Sequence, residues 1–210
     1  MRGKFVSFEG GDGAGKSTQI ALLSEALKRS QISSVVTREP GGTAISEQIR
    51  KWVLHETISM NPTTEALLIF AARAQHTAEI IEPALSNGQW VLCDRYTDAS
   101  YAYQGGGRGL PFEVIASLER IATKGLKPDL TFFLDLNVEE GIRRTGGRGS
   151  GQDRFEGEKK EFKRRVREAY QQIAFQHPAR VKTLDARQSK EGMYDEIKAM
   201  VQCRLGVAID

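Results

Sequence analysis

Cysteine is scarce in this chain: two in 210 residues, Cys93 and Cys203, far apart and without metal-ligand spacing. That excludes a disulfide-stapled secreted scaffold and a cysteine-ligated metal centre, and it fits reduced, structural thiols in a cytoplasmic protein. Long hydrophobic runs are also missing. Nothing approaches the ~18 consecutive apolar residues of a membrane span, so no membrane partner is expected. The start, Met1-Arg2-Gly3-Lys4, leads straight into a short apolar stretch with no signal-peptide pattern. A strong excess of acidic or basic residues is missing too. A net charge of +3 is too small to argue for nucleic acid, and arginines that hold small phosphorylated ligands account for it equally well. There is no repeat, low-complexity tract or dividing linker, so one domain over residues 1–210, large enough for a full core, is the expectation.

What the chain does have is Gly10-Gly11-Asp12-Gly13-Ala14-Gly15-Lys16-Ser17, the pattern G-x-x-x-x-G-K-S that cradles the phosphates of a nucleoside triphosphate. It follows an apolar run that reads as a strand and opens a run that reads as a helix, the setting the motif requires. The glycines let the backbone adopt positive φ and approach phosphate oxygens closely. Successive amides then point inward as an anion nest at the positive end of a helix dipole. Lys16 reaches the β and γ phosphates, Ser17 is a ligand for Mg²⁺, and Thr18 completes the ATP-binding stretch. An accidental glycine-rich turn would not come with both flanking elements.

Apolar, β-branched runs alternate with helical patterns along the rest of the chain. Strands are predicted at Phe5–Phe8, Ser34–Thr37, Trp90–Cys93, Leu130–Leu134 and Val181–Leu184. Helices are predicted at Lys16–Arg29, Ala44–Val53, Glu65–Leu85, Phe112–Thr123, Val138–Arg144, Lys159–Gln176 and Lys190–Arg204. Asn137 with Glu140 three residues on reads as a capping pair. This alternation implies an α/β fold, a five-stranded parallel sheet with helices on both faces. Two glycine-rich stretches, Gly105–Gly109 and Gly146–Gly151, interrupt it. Polar residues stand just beyond each strand: Glu9, Arg38 with Glu39, Asp94 with Arg95, Asp135 and Asp185. Ligands of open α/β sheets bind along that edge. Asp135 and Asp185 are read as ordinary turn residues.

The remaining pairs carry chemistry. Asp94, at a strand end beside the phosphate loop, is placed to hold Mg²⁺ directly or through water. Arg95 reaches the same pocket. Arg38, in Arg38-Glu39-Pro40-Gly41-Gly42-Thr43, offers a planar fork for a phosphate. Phe70 and Arg73 share a helix face, where an aromatic stacks on a base and an arginine bonds its edge. Arg143, Arg144, Arg148 and Arg154 surround the second glycine-rich stretch, and arginines there suit a lid that closes over a transferring phosphoryl group. On the next helix Phe162, Val166, Tyr170 and Ile173 form one apolar stripe, leaving its charges to solvent. For adenine, Arg143 and the segment Asp185-Ala186-Arg187 are candidates.

In family order over nearly the whole chain, these motifs resemble the thymidylate kinase family in its bacterial form. They are Phe8-Glu9-Gly10 into the loop, Arg38 to Thr43, Asp94-Arg95-Tyr96, Tyr101-Ala102-Tyr103-Gln104-Gly105-Gly106-Gly107-Arg108-Gly109, Pro128-Asp129-Leu130-Thr131 and Asp153-Arg154-Phe155-Glu156. The resemblance implies a P-loop nucleoside monophosphate kinase fold with a lid at residues 144–157. It also implies ATP-dependent conversion of dTMP to dTDP with magnesium, supplying dTTP for DNA replication, and a homodimer packed through long helices. Carried over by position, Asp12 lies near the acceptor sugar and phosphates, and Glu39 belongs to the acceptor and magnesium region. Arg50 and Arg95 hold the acceptor phosphate. Arg73 bonds thymine, Ser100 and Gln104 complete base recognition, and Tyr103 crowds the 2′ position. Arg148 and Arg154 are the lid arginines. The chain departs from the family where a stacking phenylalanine four residues before Arg73 is normal. Ile69 stands there and Phe70 follows, so either residue is left to face the base.

A phosphate monoester has a second pKa of about 6 and is mostly dianionic at neutral pH, so no strong general base is needed. The tasks are alignment of two anions and neutralisation of charge, which fall to Lys16, Arg95 and a lid arginine. Gly13 is neutral where one branch of the family carries an arginine in the loop. The missing charge is expected from Gly146 to Arg154. Rival readings are another nucleoside monophosphate kinase, a GTP-dependent switch and a P-loop ATPase subunit. The switch fails on Thr123-Lys124-Gly125-Leu126, where the guanine reader requires Asp in the last place. The ATPase subunit fails for want of an obvious oligomer-contact arginine.

Overall fold

The computed structural model describes residues 2–55, 59–146 and 154–209. Its strands are β1 (Phe5–Glu9), β2 (Ser34–Arg38), β3 (Trp90–Asp94), β4 (Leu130–Asp135) and β5 (Val181–Asp185). They form one sheet in the order β2-β3-β1-β4-β5, with every neighbouring pair parallel. Each strand runs one residue further than its apolar stretch. Glu9, Arg38, Asp94, Asp135 and Asp185 are therefore the last residues of the five strands, side by side along the carboxyl edge.

The described α-helices are α1 (Lys16–Arg29), α2 (Ala44–Leu54), α3 (Pro62–His76), α4 (Glu82–Ser86), α5 (Thr97–Ser100), α6 (Phe112–Thr123), α7 (Val138–Thr145), α8 (Lys160–Gln176) and α9 (Lys190–Leu205). Strand alternation splits the core between two faces. Val6, Phe8, Leu92, Leu130, Phe132 and Leu134 pack with Ile20, Leu23 and Leu27 of α1 and Met193, Ile197 and Val201 of α9. On the other face Phe5, Val91 and Cys93 meet Ile81, Leu85 and Tyr96, and Phe133 and Val181 meet the α8 stripe of Phe162, Val166, Tyr170 and Ile173. Each such side chain contributes about 1.5–3 kcal/mol when fully buried, so two covered faces hold the edge residues on a stiff platform. Cys93 belongs to this packing. Cys203 is exposed, so the structural reading of the two thiols applies only to Cys93.

Two elements differ from expectation. The helix predicted over Glu65–Leu85 begins earlier, at Pro62, where Asn61 Oδ1 caps Thr63 N at 2.9 Å. It passes through a π-helical turn, Thr77–Ile81, before α4. Pro83 has no N–H to donate and its ring crowds the carbonyl four residues back; a wider turn ahead of it accommodates both. The glycines at 105–107, read as an interruption, are instead helical: α5 runs on into a π-helical segment, Tyr101–Gly107. A Cβ on Gly105 would stand 2.5 Å from Phe112, one on Gly106 2.7 Å from the Ala169 Cβ, and one on Gly107 2.5 Å from Phe162. These glycines permit close packing against α6 and α8. Half of the predicted capping pair of α7 forms, Asn137 Oδ1 accepting from Glu140 N at 2.8 Å, while the Glu140 carboxylate pairs with Arg143 and Arg144.

Candidate active site

The turn from β1 into α1 is shaped by positive φ at Gly10 (133°), Gly13 (79°) and Gly15 (95°). Gly10 and Gly13 are also crowded. A Cβ on Gly10 would lie 2.5 Å from the Leu134 carbonyl oxygen, and one on Gly13 3.0 Å from that of Gly141. Lys16 is 6% exposed and folds back over the loop, its Nζ donating to Gly10 O at 3.1 Å and Gly11 O at 3.0 Å. Burial pulls its ammonium below the ordinary lysine value, and Arg95 adds to this against the opposing pull of Asp94 and Asp12. The cation is held where an incoming polyphosphate would replace two carbonyls with stronger, charged partners.

At the end of β3, Ser17 Oγ donates to Asp94 Oδ2 at 3.3 Å. The other oxygen, Asp94 Oδ1, is buried with no hydrogen-bond partner and lies 3.6 Å from Arg95 Nη1. A hydroxyl and an under-used carboxylate oxygen are hard-oxygen ligands, and together they fit Mg²⁺. Among the described residues no group of three or more His, Cys, Asp and Glu gathers as a metal cage. Magnesium needs no such cage where phosphate oxygens and water complete its shell.

Arg95 takes a left-handed backbone, φ 69°, unusual for a residue with a side chain. That turn sends its guanidinium across the edge, where Nη2 donates to Asp12 Oδ1 at 2.7 Å and Tyr103 Oη at 3.2 Å. Burial works against the Asp12 carboxylate, yet Arg95 and Lys16 hold it below the ordinary aspartate value. Asp12, Arg95 and Tyr103 thus form the shared wall between the loop and a neighbouring cleft.

That cleft brings together most of the residues expected to hold an acceptor: Asp12, Glu39, Arg50, Arg73, Arg95, Ser100, Tyr103 and Gln104. Arg73 is 2% exposed. Its Nε donates to Glu39 Oε2 at 2.6 Å, Nη1 to Ser100 Oγ at 2.8 Å and Nη2 to Tyr96 O at 2.9 Å. Burial disfavours the guanidinium, but Glu39 more than offsets this and keeps it charged. Arg50 Nη1 donates to Pro40 O at 2.8 Å from the facing helix. Ile69 lines the cleft. Phe70 does not: it packs with Ile115 and Ala122, and the Arg73 guanidinium lies over its ring at 4.6 Å. The expectation that Phe70 contacts a ligand is corrected; helical geometry turns it toward α6 and gives the wall to Ile69.

Three other expectations change. Glu39 engages both oxygens within the protein, Oε1 with His76 Nδ1 at 2.9 Å and Oε2 with Arg73, so it orients an arginine instead of standing free for a metal. Arg38 turns away from the cleft and donates to both Glu47 oxygens, at 3.0 and 3.1 Å, on an exposed surface. Arg143, 75% exposed at its side chain, pairs with Glu140. Its neighbour Arg144 is the arginine that meets the loop, with Nη1 at 3.4 Å from Gly13 O and 3.0 Å from Ala186 O. Asp135 and Asp185 close their strands and are ion-paired, Asp135 with Arg167 of α8 and Asp185 with Arg187, and only Asp185 makes a turn contact, its Oδ1 accepting from Arg187 N at 2.9 Å.

Arg148 lies outside the described residues. Arg154 is held by Glu65: its Nη2 donates to Glu65 Oε2, and its Nε to Val53 O at 3.0 Å. Glu65, fully buried, also accepts from Gln104 Nε2 at 2.8 Å and Arg108 Nε at 3.1 Å. Arg108 in turn pairs with Glu158. Sequence reasoning missed Glu65 and His76 because each reads as one polar residue on an apolar helix. It also undervalued Glu9, whose buried carboxyl accepts from Tyr96 N at 2.7 Å and Tyr170 Oη at 2.8 Å.

A phosphate loop after the first strand of a parallel sheet, sharing a wall along one edge with a cleft lined by a buried arginine, defines a P-loop nucleotide kinase. A family model described as thymidylate kinase matches residues 8–197. The chain is 51% identical over 193 residues to the thymidylate kinase of Alkalilimnicola ehrlichii, covering 91% of this chain and 89% of that one. It is 50% identical over 202 residues to that of Pseudomonas putida, covering 96% of each. With that of Pseudomonas fluorescens it shares 53% over 189 residues, 90% of each. The chain belongs to the thymidylate kinase family: it is a transferase that phosphorylates dTMP to dTDP, with ATP as the family's phosphate donor. Among the described residues no helix is long and apolar enough to cross a membrane.

Proposed function

We propose that the two halves of this cleft carry out one in-line transfer, with ATP on the Gly10–Thr18 side, dTMP on the Arg73 side and Mg²⁺ held by Ser17 and Asp94. The observation that carries this reading is the shared wall. Arg95 bonds Asp12 of the loop while facing the cleft that contains Arg73, which supports a reading in which one guanidinium would lie between the two proposed phosphate positions. Lys16 leaves the Gly10 and Gly11 carbonyls for the β and γ phosphates. Arg95 and Arg50 hold the acceptor phosphate, and their charge offsets the repulsion of two anions brought together. Arg73, Ser100 and Gln104 meet the polar edge of thymine over an Ile69 floor, and Tyr103 crowds the sugar. Ser17 and Asp94 would hold Mg²⁺, which when bound would supply charge neutralisation at the phosphates.

Residues 1–210 are assigned to one kinase domain with its lid at 144–157. Arg148 and Arg154 serve as lid arginines; Arg154 must leave Glu65 to reach a phosphoryl group. Arg143 and the 185–187 segment are assigned to the adenine side. A cytoplasmic homodimer supplying dTTP synthesis completes the proposal. The test is an acceptor panel of dTMP, dUMP, AMP, GMP and CMP with ATP, run with and without Mg²⁺. Preferential, Mg²⁺-dependent turnover of dTMP is expected, and efficient use of AMP or GMP would overturn the base assignment. For the metal ligands, Ser17→Ala should raise the Mg²⁺ concentration needed for half-maximal rate. An unchanged Mg²⁺ dependence would remove Ser17 from the set.

A further inference from the structure

His76 lies behind the base-reading wall, fully buried on α3 one turn from Arg73. Both ring nitrogens are occupied. Nδ1 is 2.9 Å from Glu39 Oε1, and Nε2 is 2.6 Å from Thr37 Oγ1 at the end of β2. A carboxylate only accepts, so Nδ1 carries the proton facing Glu39. Nε2 pairs with the Thr37 hydroxyl. The result is an unbroken chain from the sheet to the cleft: Thr37 to His76, His76 to Glu39, Glu39 to Arg73.

The middle of that chain needs a second anchor. Ser100 Oγ and Tyr96 O hold the two terminal nitrogens of Arg73, but its Nε contact rests on Glu39 alone, and with Arg73 as its one partner the Glu39 carboxylate could turn about its terminal bond and weaken that contact. His76 holds the other oxygen. The turn around Glu39 is fitted to the ring as well. A Cβ on Gly42 would lie 2.6 Å from His76 Cδ2 and 2.7 Å from Nε2, so Gly42 leaves the space the imidazole fills. The π-helical turn begins at the next residue, Thr77, whose hydroxyl meets Tyr96 Oη at 3.3 Å. Tyr96 also gives the carbonyl that accepts from Arg73. The guanidinium is thereby fixed from two sides.

We infer that His76 is a positioning residue for thymine recognition, acting through Glu39 to hold the Arg73 guanidinium at the acceptor base. This rests on the reading that Arg73 bonds the base. Steady-state kinetics of His76→Leu, His76→Asn, Thr37→Val, Arg73→Gln and the His76→Leu/Arg73→Gln pair test it, each variant checked by thermal melting. His76→Leu should raise KM for dTMP about tenfold to a hundredfold, the range set by losing one buried charge-assisted hydrogen bond, with kcat and KM for ATP within about twofold. His76→Asn keeps a donor near the Nδ1 position and should recover most of the loss. Thr37→Val should show a smaller rise of the same kind. In the pair, the His76 change should add little to Arg73→Gln, because both act on one contact. Additive effects in the pair, or equal damage to KM for ATP and to kcat, would overturn the positioning role. An unchanged KM for dTMP in Arg73→Gln would instead overturn the underlying base-reading assignment. If His76→Leu does not fold, the Asn and Val variants decide the matter by the same criteria.

Discussion

On the donor side of the cleft the site is made of backbone. Three glycines at positive φ shape the loop, and the one side chain that matters most, Lys16, rests on loop carbonyls. On the acceptor side the site is made of buried side chains held by other buried side chains. Arg73 depends on Glu39, Glu39 on His76, and Gln104 and Arg154 share Glu65 with Arg108. A backbone nest binds any polyphosphate, because every amide offers the same donor. A network of paired charges in a dry wall holds one donor and acceptor pattern, and rejects bases that leave part of it unpaired. Under the proposed assignment, the contrast is that between a generic donor site and a selective acceptor site.

The sharpest way to break the contrast is to remove charge from the backbone half. Lys16→Ala is expected to lower kcat by about a hundredfold or more with little change in melting temperature, since burial disfavours the ammonium and offsets its contacts with the loop carbonyls and Asp12. A coupled assay beside a melting curve reads both; a large fall in stability would place Lys16 in the scaffold. Next in size is Glu65→Gln. It leaves two arginines without their shared carboxylate and should cost roughly 3 kcal/mol of stability, with a raised KM for dTMP through Gln104. Denaturant unfolding measures the first effect and initial rates the second. Stability within error of the parent would mean Arg108 and Arg154 find other partners at no cost.

Gly10→Ala tests the backbone half directly. A left-handed position with 2.5 Å of room is expected to cost about 1–3 kcal/mol and to raise KM for ATP more than KM for dTMP. The reverse order of KM changes would blur the division between halves.

A smaller effect is expected at Glu9, under the loop. Burial first, then Asp98, raises its carboxyl from 4.5 to about 8 against the opposing pull of Tyr170, the Tyr96 amide and Arg95. The native chain therefore keeps a proton that the unfolded chain releases above 4.5. This group's contribution to stability falls as pH rises from 4.5 to about 8 and levels off beyond. Glu9→Gln should flatten that decline, seen as melting temperatures that drop less between pH 5 and 8 by a few degrees. A parallel decline in both proteins would assign it to other groups. The smallest effect should come from Arg38→Ala. An exposed pair with Glu47 predicts a change within about 0.5 kcal/mol and an unaltered KM for dTMP. A rise of tenfold in that KM would return Arg38 to the acceptor site.

The phosphate loop was legible because its pattern is local: strand, glycines, lysine and helix follow one another, and the turn forms from those same residues. The strand ends were legible for a similar reason, as an apolar run must stop where a parallel sheet meets its ligand edge. The partners on the acceptor side were not. Glu65 is 39 residues from Gln104 and 89 from Arg154, and no spacing rule joins them. The glycines at 105–107 read as a loop because their reason lies on α6 and α8, where Phe112, Phe162 and Ala169 leave no room for a Cβ. Ile69 and Phe70 differ by one helical step, and only the packing of α3 against α6 decided that Ile69 faces the cleft and Phe70 the interior.

By itself, then, the sequence determined the parallel α/β sheet, the place of the phosphate loop and the family to which the chain belongs. Hydrophobic period and loop chemistry are written along the chain and need no distant partner. Only the tertiary structure decided that Glu39 serves Arg73, that His76 stands behind it, that Arg38 faces outward and that Arg154 is held by Glu65. A buried charge takes its function from whatever neutralises it, and that neighbour comes from another part of the chain.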